Sequence, residues 1–128
     1  MSVSEALDRF RATVPGCQLV AFVDIESSMV LSVSAQIKQR QELLSAFAES
    51  ASCHLPMTQD SLSKCLSIKE EPALPDVAVL LSASGTVAFV RSRAEPNEAL
   101  CCSCSPNAAV DAIIDSARAT LLDMAAAE

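Results

Sequence analysis

Hydrophobic and polar positions along this chain fall into a rhythm that switches from helical to strand-like and back. Val3, Ala6, Leu7, Phe10 and Val14 recur at helical spacing, with Glu5, Asp8, Arg9 and Ala12 off that stripe, which predicts a helix over 2–14. Ser2 and Glu5 have capping-box spacing, Glu5 and Arg9 form an i,i+4 pair, and Pro15-Gly16 ends the helix. Cys17 to Asp24 follows as a strand whose run Leu19-Val20-Ala21-Phe22-Val23 carries no charge, so it belongs inside a sheet. After a polar turn, Met29 to Val33 predicts the second strand of a hairpin, and Ser32 and Ser34 around Val33 give it the alternation of an outer strand. Ser34 then reads as the cap of a second helix running to about Cys53, with Ile37, Gln41, Leu44, Phe47, Ala48, Ala51 and Leu55 as its stripe.

Residues 56–75 hold three prolines and the run Lys69-Glu70-Glu71, with one or two helical turns or a short strand around Leu62, Cys65, Leu66 and Ile68. Beyond them Val77 to Leu81 and Thr86 to Val90 predict a hairpin across Ser82-Ala83-Ser84-Gly85, where Gly85 is expected to supply a positive φ. A fifth strand, Ala99 to Cys104, follows the polar break 91–98, and Asn107 is expected to cap a last helix with the stripe Val110, Ile113, Ile114, Ala117, Leu121 and Met124. In the first strand of that hairpin, Val77, Val79 and Leu81 point one way and Ala78 and Leu80 the other, all of them apolar. Such a sheet must be covered on both faces, and only helices remain to cover it. The expected architecture is α+β, in the order α-β-β-α-β-β-β-α, as a single domain over 1–128.

Natural sheet edges are guarded by charge, proline or a bulge. No charge lies between Asp76 and Arg91, and only Pro75 stands before the strand. Either another segment covers Val77 to Leu81 or a second copy pairs with it about a two-fold axis, and the open edge favours the second copy.

Composition narrows the function by exclusion. The chain has 128 residues, of which 51% are hydrophobic, too many for a disordered segment. The four aromatic residues are all Phe, so the core is built from Ala, Val, Leu and Ile. A net charge of −7, with no basic stripe, disfavours nucleic acid as a partner. No apolar run approaches the roughly 20 residues that a membrane-spanning helix needs, so no membrane insertion is expected. The first residues lack the basic-then-apolar pattern of a signal peptide. The six cysteines are therefore expected to be reduced in a cytoplasmic protein.

No residue cluster spells a catalytic centre. Cys102 and Cys104 share a strand face with Leu100 while Cys101 faces the other way, which favours core cysteines over a thiolate metal knuckle completed by His54. A disulfide within that stretch is disfavoured, because neighbours along one strand diverge from bridging geometry. His54 reads as a surface or capping residue after the last turn of the second helix. The serines occupy turns and strand ends, with no Gly-x-Ser-x-Gly elbow. With two glycines in the chain there is no phosphate cradle and no Walker-type Gly-Lys-Ser/Thr. No catalytic, cofactor-binding or metal-ligating residue is assigned.

Val14-Pro15-Gly16-Cys17, the strand Leu19 to Asp24, the strand Met29 to Val33 and the hairpin Val77 to Val90 together resemble the roadblock/dynein light-chain-7 family in element order over nearly the whole chain. The turn Asp24-Ile25-Glu26-Ser27-Ser28 lacks the glycine usual in that family, and the 56–75 connection is longer. The resemblance implies a five-stranded antiparallel sheet with the second helix on one face and the first and last on the other, similar to profilin-like folds. It also implies a homodimer without an enzymatic site or cofactor, acting as a scaffold or regulator of small Ras-like GTPases or within motor and trafficking complexes. Carried over by position, the implied dimer surface is Ile37, Gln41, Leu44 and Ala48 with Val77, Val79 and Leu81. Outside the family, the competing readings are a small-molecule sensor of profilin-like fold, which requires a sizeable apolar cavity, and a zinc or thiol protein using Cys101, Cys102, Cys104 and His54.

Overall fold

A computed structural model describes residues 2–37, 40–65 and 77–126. The elements are α1 (Val3–Thr13), β1 (Cys17–Asp24), β2 (Met29–Ala35), α2 (Gln41–Cys65), β3 (Val77–Ser82), β4 (Gly85–Arg91), β5 (Glu98–Cys104) and α3 (Val110–Ala126). The five strands form one antiparallel sheet in the order β2-β1-β5-β4-β3. This is the α+β architecture that the apolar runs require.

Each sheet face has its own core. On one, Leu7, Phe10, Ile113, Ala117 and Leu121 from α1 and α3 pack on Val20, Phe22, Leu100, Cys102 and Val90. On the other, Ala48 and Ala51 of α2 pack on Ala21, Val23, Phe89, Ala99 and Cys101. Four alanines, Ala21, Ala48, Ala51 and Ala99, share this contact with the larger Val23, Ile25 and Phe89. Strand alternation thus divides the β5 cysteines as the sequence indicates, with Cys101 under α2 and Cys102 and Cys104 under α1 and α3.

Several boundaries differ from the sequence reading. Ser34 does not cap α2: it continues β2, buried, where its hydroxyl accepts from Arg11 Nε at 3.0 Å and donates to the Asp8 carboxylate. Two tertiary partners on α1 outcompete a local cap. Helix α2 therefore starts at Gln41 and leaves Ile37 ahead of it, and it runs on through His54 and Pro56 to Cys65 instead of stopping near Cys53. Proline has no N–H for the Ser52 carbonyl. The Ser52 side chain meanwhile pins this part of the helix, donating to the Ile25 carbonyl at 2.7 Å and accepting from Ser28 at 2.8 Å. Leu62 and Cys65 thus belong to the same long helix, and the expectations for Leu66, Ile68 and the rest of the connection lie outside the described residues.

Helix α3 begins at Val110, not after an Asn107 cap, because Ser105 to Asn107 makes a turn closed by Ala108 N–H on the Ser105 carbonyl at 3.1 Å. Positive φ occurs at Gly16, 81°, and at Ser28, 56°, but not at Gly85. A Cβ on Gly16 would sit 2.5 Å from Ser105 Oγ, and Ser105 N–H donates to the Gly16 carbonyl at 3.0 Å. At Gly85 the requirement is close approach, since a Cβ there would lie 3.1 Å from the Cys104 carbonyl oxygen.

Candidate interaction surface

The phase of the β-ladder decides which residues of β3 offer backbone to a partner. Ser92 N–H donates to the Glu98 carbonyl at 2.9 Å, a bond that flanks the pair Arg91–Ala99 and makes it the non-hydrogen-bonded kind. The registers of β4 with β5 and with β3 run without a bulge. Alternate residues therefore swap direction, with Val90, Ala88 and Thr86 bonding to β5 and Phe89, Val87 and Gly85 bonding to β3. Val77, Val79 and Leu81 stand opposite the first set, so their N–H and C=O groups point away from β4. Among the described residues β3 pairs with β4 alone, and these three residues form its outer row.

Helix α2 borders that edge. Leu44, Ala48 and Ala51 are buried and mark the side facing the sheet. Ser52, about 80° round the helix from Leu44, bonds to the end of β1. The opposite flank carries Phe47 and Leu43. Phe47 stacks obliquely on Phe89 of β4, ring centroids 5.9 Å apart, so this flank lies toward β4 and β3. Leu43 on it is 53% exposed, and Leu80, on the α2 face of β3, is 42% exposed.

The surface residues inferred from the sequence are dispersed by this geometry. Ile37 precedes α2 and is 72% exposed, and Gln41 is exposed on the Ser52 side of the helix, away from β3. Leu44 and Ala48 are buried beneath α2, while Val77 and Val79 pack their side chains against the α1–α3 core and present backbone at the edge. Leu81 is 70% exposed. Sequence reasoning passed over Leu43 and Leu80. The adjacent pair Leu43-Leu44 held a signal, because one helix cannot bury two neighbouring leucines on a single narrow stripe.

A cavity of about 160 Å³ opens beside α3 and the β4–β5 loop, lined by Arg91, Ser92, Arg93, Ala94, Arg118, Leu121 and Leu122. It is smaller than the roughly 300–1,000 Å³ of ordinary small-molecule sites and lies at the rim of the sheet. A single zinc site using Cys101 together with Cys102 and Cys104 is ruled out by their placement on opposite faces. Among the described residues no helix is long and apolar enough to cross a membrane.

No family sequence model matches the chain, and no curated protein does. Solved structures do. The roadblock/LC7 domain from Streptomyces avermitilis superposes with a TM-score of 0.81 at 9% identity, covering 99% of this chain and 98% of that one. MglB in a tetrameric arrangement gives 0.77 at 14% identity over 97% of this chain and 85% of its own. The gliding protein MglB from Thermus thermophilus gives 0.76 at 14% identity over 97% and 86%. Strand order, helix placement and these full-length superpositions agree: the chain has the roadblock/LC7 fold.

Proposed function

We propose that this chain is a non-enzymatic, homodimeric regulatory or scaffolding module of the cytoplasm, acting on a small Ras-like GTPase or its complex. The observation that carries the reading is the outer row of β3, uncharged and unbroken, beside the apolar flank of α2. Antiparallel pairing of two β3 strands about a two-fold axis at Val79 sets Val77 of one copy opposite Leu81 of the other and joins the two sheets into one. Leu43, Phe47 and Leu80 of each copy then border the seam, while Leu44 and Ala48 fix the height of α2 above it. A shared sheet with two helices along one face offers a broad, two-fold surface to a partner domain. The GTPase as partner rests on the family resemblance and on likeness to MglB structures.

Light scattering behind a sizing column, at several concentrations, tests the assembly. A particle of twice the 13.4 kDa chain mass is expected, and a monomer at all concentrations refutes the dimer. Immobilised dimer is then presented with a panel of small Ras-like GTPases in GDP and GTP-analogue states. Nucleotide-dependent retention of one is expected, and retention of none removes the GTPase from the proposal.

A further inference from the structure

Three sulfurs meet at one corner of the α1–α3 face, where the exit of α1 crosses the entrance of α3. Cys17 opens β1, Cys104 closes β5, and the two stand directly opposite in the ladder, with Cys102 next on the same face. The hydrogen bonds around the pair identify its type. Ser105 N–H donates to the Gly16 carbonyl, while Cys17 N–H turns back to the Val14 carbonyl at 3.2 Å, so Cys17–Cys104 is a non-hydrogen-bonded pair. Such pairs bring Cα atoms to about 4.5 Å, within the range that a disulfide bridges. Cys102 is two residues along the same strand from Cys104 and lacks that relation to it. All three are free thiols.

A second observation concerns the neighbouring strand. Thr86 faces Cys104 across β4 and β5, is 1% exposed, and its hydroxyl makes no hydrogen bond among the described residues. Burying an unsatisfied hydroxyl is costly. A thiolate or an S–OH group at Cys104 supplies the acceptor that this hydroxyl lacks.

We propose that Cys17 and Cys104 are an oxidative modification site, forming a reversible intramolecular disulfide when the protein meets hydrogen peroxide. Cys104 sulfur attacks the peroxide, the O–O bond breaks, and the departing hydroxide takes up a proton to leave as water, giving Cys104–SOH. Cys17 sulfur then attacks that sulfur, the S–OH bond breaks, and a second water leaves. Two thiols give up two electrons and two protons, and one peroxide becomes two waters. The order follows from the surroundings: the neighbouring thiols of Cys102 and then Cys17 hold the Cys104 thiol well below its ordinary range, whereas contact with Cys104 and burial push Cys17 up. The Arg11 guanidinium partly counters that rise, favouring the Cys17 thiolate when it attacks. Cys17 is the most exposed of the three, at 8%. The bridge would tie the α1 exit to the α3 entrance at the point where Gly16 and Ser105 already touch.

The test uses the full chain, fully reduced, exposed to graded hydrogen peroxide, alkylated and mapped by mass after trypsin. The expected product joins peptide 12–38 to peptide 94–118, with fragment ions placing the bridge on Cys104. Two alkylatable thiols per chain are lost, and dithiothreitol restores them. Cys17→Ala and Cys104→Ala each abolish the product, whereas Cys102→Ala retains it. A bridge placed on Cys101 or Cys102, oxidation of Cys104 that stops at sulfinic acid, or cross-links only between chains through exposed Cys53 overturns the proposal. The wild-type map decides these outcomes even where a variant fails to fold.

Discussion

The two edge strands make an instructive pair, because both are uncharged and only one is regular. On β2, Gln36 N–H donates to the Gln18 carbonyl, which fixes Val33 and Ala35 as outward-pointing residues, but the register breaks between Phe22 and Val23 before that row can continue. A bulge of this kind twists an edge and spoils it as a template. On β3 six consecutive pairs run without interruption, and the row Val77, Val79, Leu81 remains whole. Exposed apolar side chains occur on both, at Met29 and Leu31 on one edge and at Leu80 and Leu81 on the other. Exposure alone therefore does not distinguish the two edges, and backbone regularity does, which is why the proposed pairing is placed on β3.

Substitutions that treat the two edges alike should separate them. Val79→Pro removes an N–H that β4 does not use and places a ring in the seam, so it should weaken self-association by at least about a hundredfold while the chain stays folded. Light scattering and circular dichroism on one sample check both halves, and a folded dimer would remove β3 from the interface. Leu80→Lys sets a charge beside the proposed axis in each copy and should cost about tenfold to a hundredfold in dimer affinity. The matching Leu31→Lys on β2 should leave association unchanged by sedimentation equilibrium, and equal losses from the two would end the distinction between the edges.

Two smaller effects concern the sheet centre and should not touch association. Burial pushes the Cys101 thiol up from its ordinary value of 9.0. Above pH 9 the unfolded chain loses this proton and the folded chain keeps it, so stability falls as pH rises, by about 1.4 kcal/mol per pH unit for this thiol. Cys101→Ala should flatten the alkaline slope of denaturant midpoints by that amount, and an unchanged slope would show that the thiol ionises in the folded state. Thr86→Val replaces a buried hydroxyl that has no hydrogen-bond partner among the described residues by a methyl group of similar shape, and should stabilise the chain by about 1 kcal/mol in urea unfolding. A loss of stability would mean that the hydroxyl has a partner.

The strands and their order were legible because a buried strand is a short apolar run bounded by turn residues, and β1, β3, β4 and β5 each have that form. Local signals failed where distant groups decide. Ser34 has the chemistry of a cap, yet Asp8 and Arg11, more than twenty positions earlier, claim its hydroxyl. Pro56 reads as a stop, yet the helix is already docked on the sheet through Ala48 and Ala51 and held by Ser52 before the proline arrives. The candidate surface was half legible. The open β3 edge followed from missing charge, but of the helical stripe picked from spacing the molecule buries Leu44 and Ala48 against its own sheet and leaves Ile37 and Gln41 exposed. Leu43 needed the true start of α2, and the thiol pair needed a register that joins residues 17 and 104.

The alanine layer beneath α2 works as a thin shim between a helix and a sheet. Ala48, Ala51, Ala21 and Ala99 are all fully buried in one cluster, so a methyl group added at any of them overpacks it and is relieved by lifting or tilting the helix. Leu43 and Phe47 ride on that helix, while the β3 row does not move with it. In the proposed dimer, methyl-sized changes far from the seam would thus reset the angle at which two copies meet, leaving every contacting residue the same.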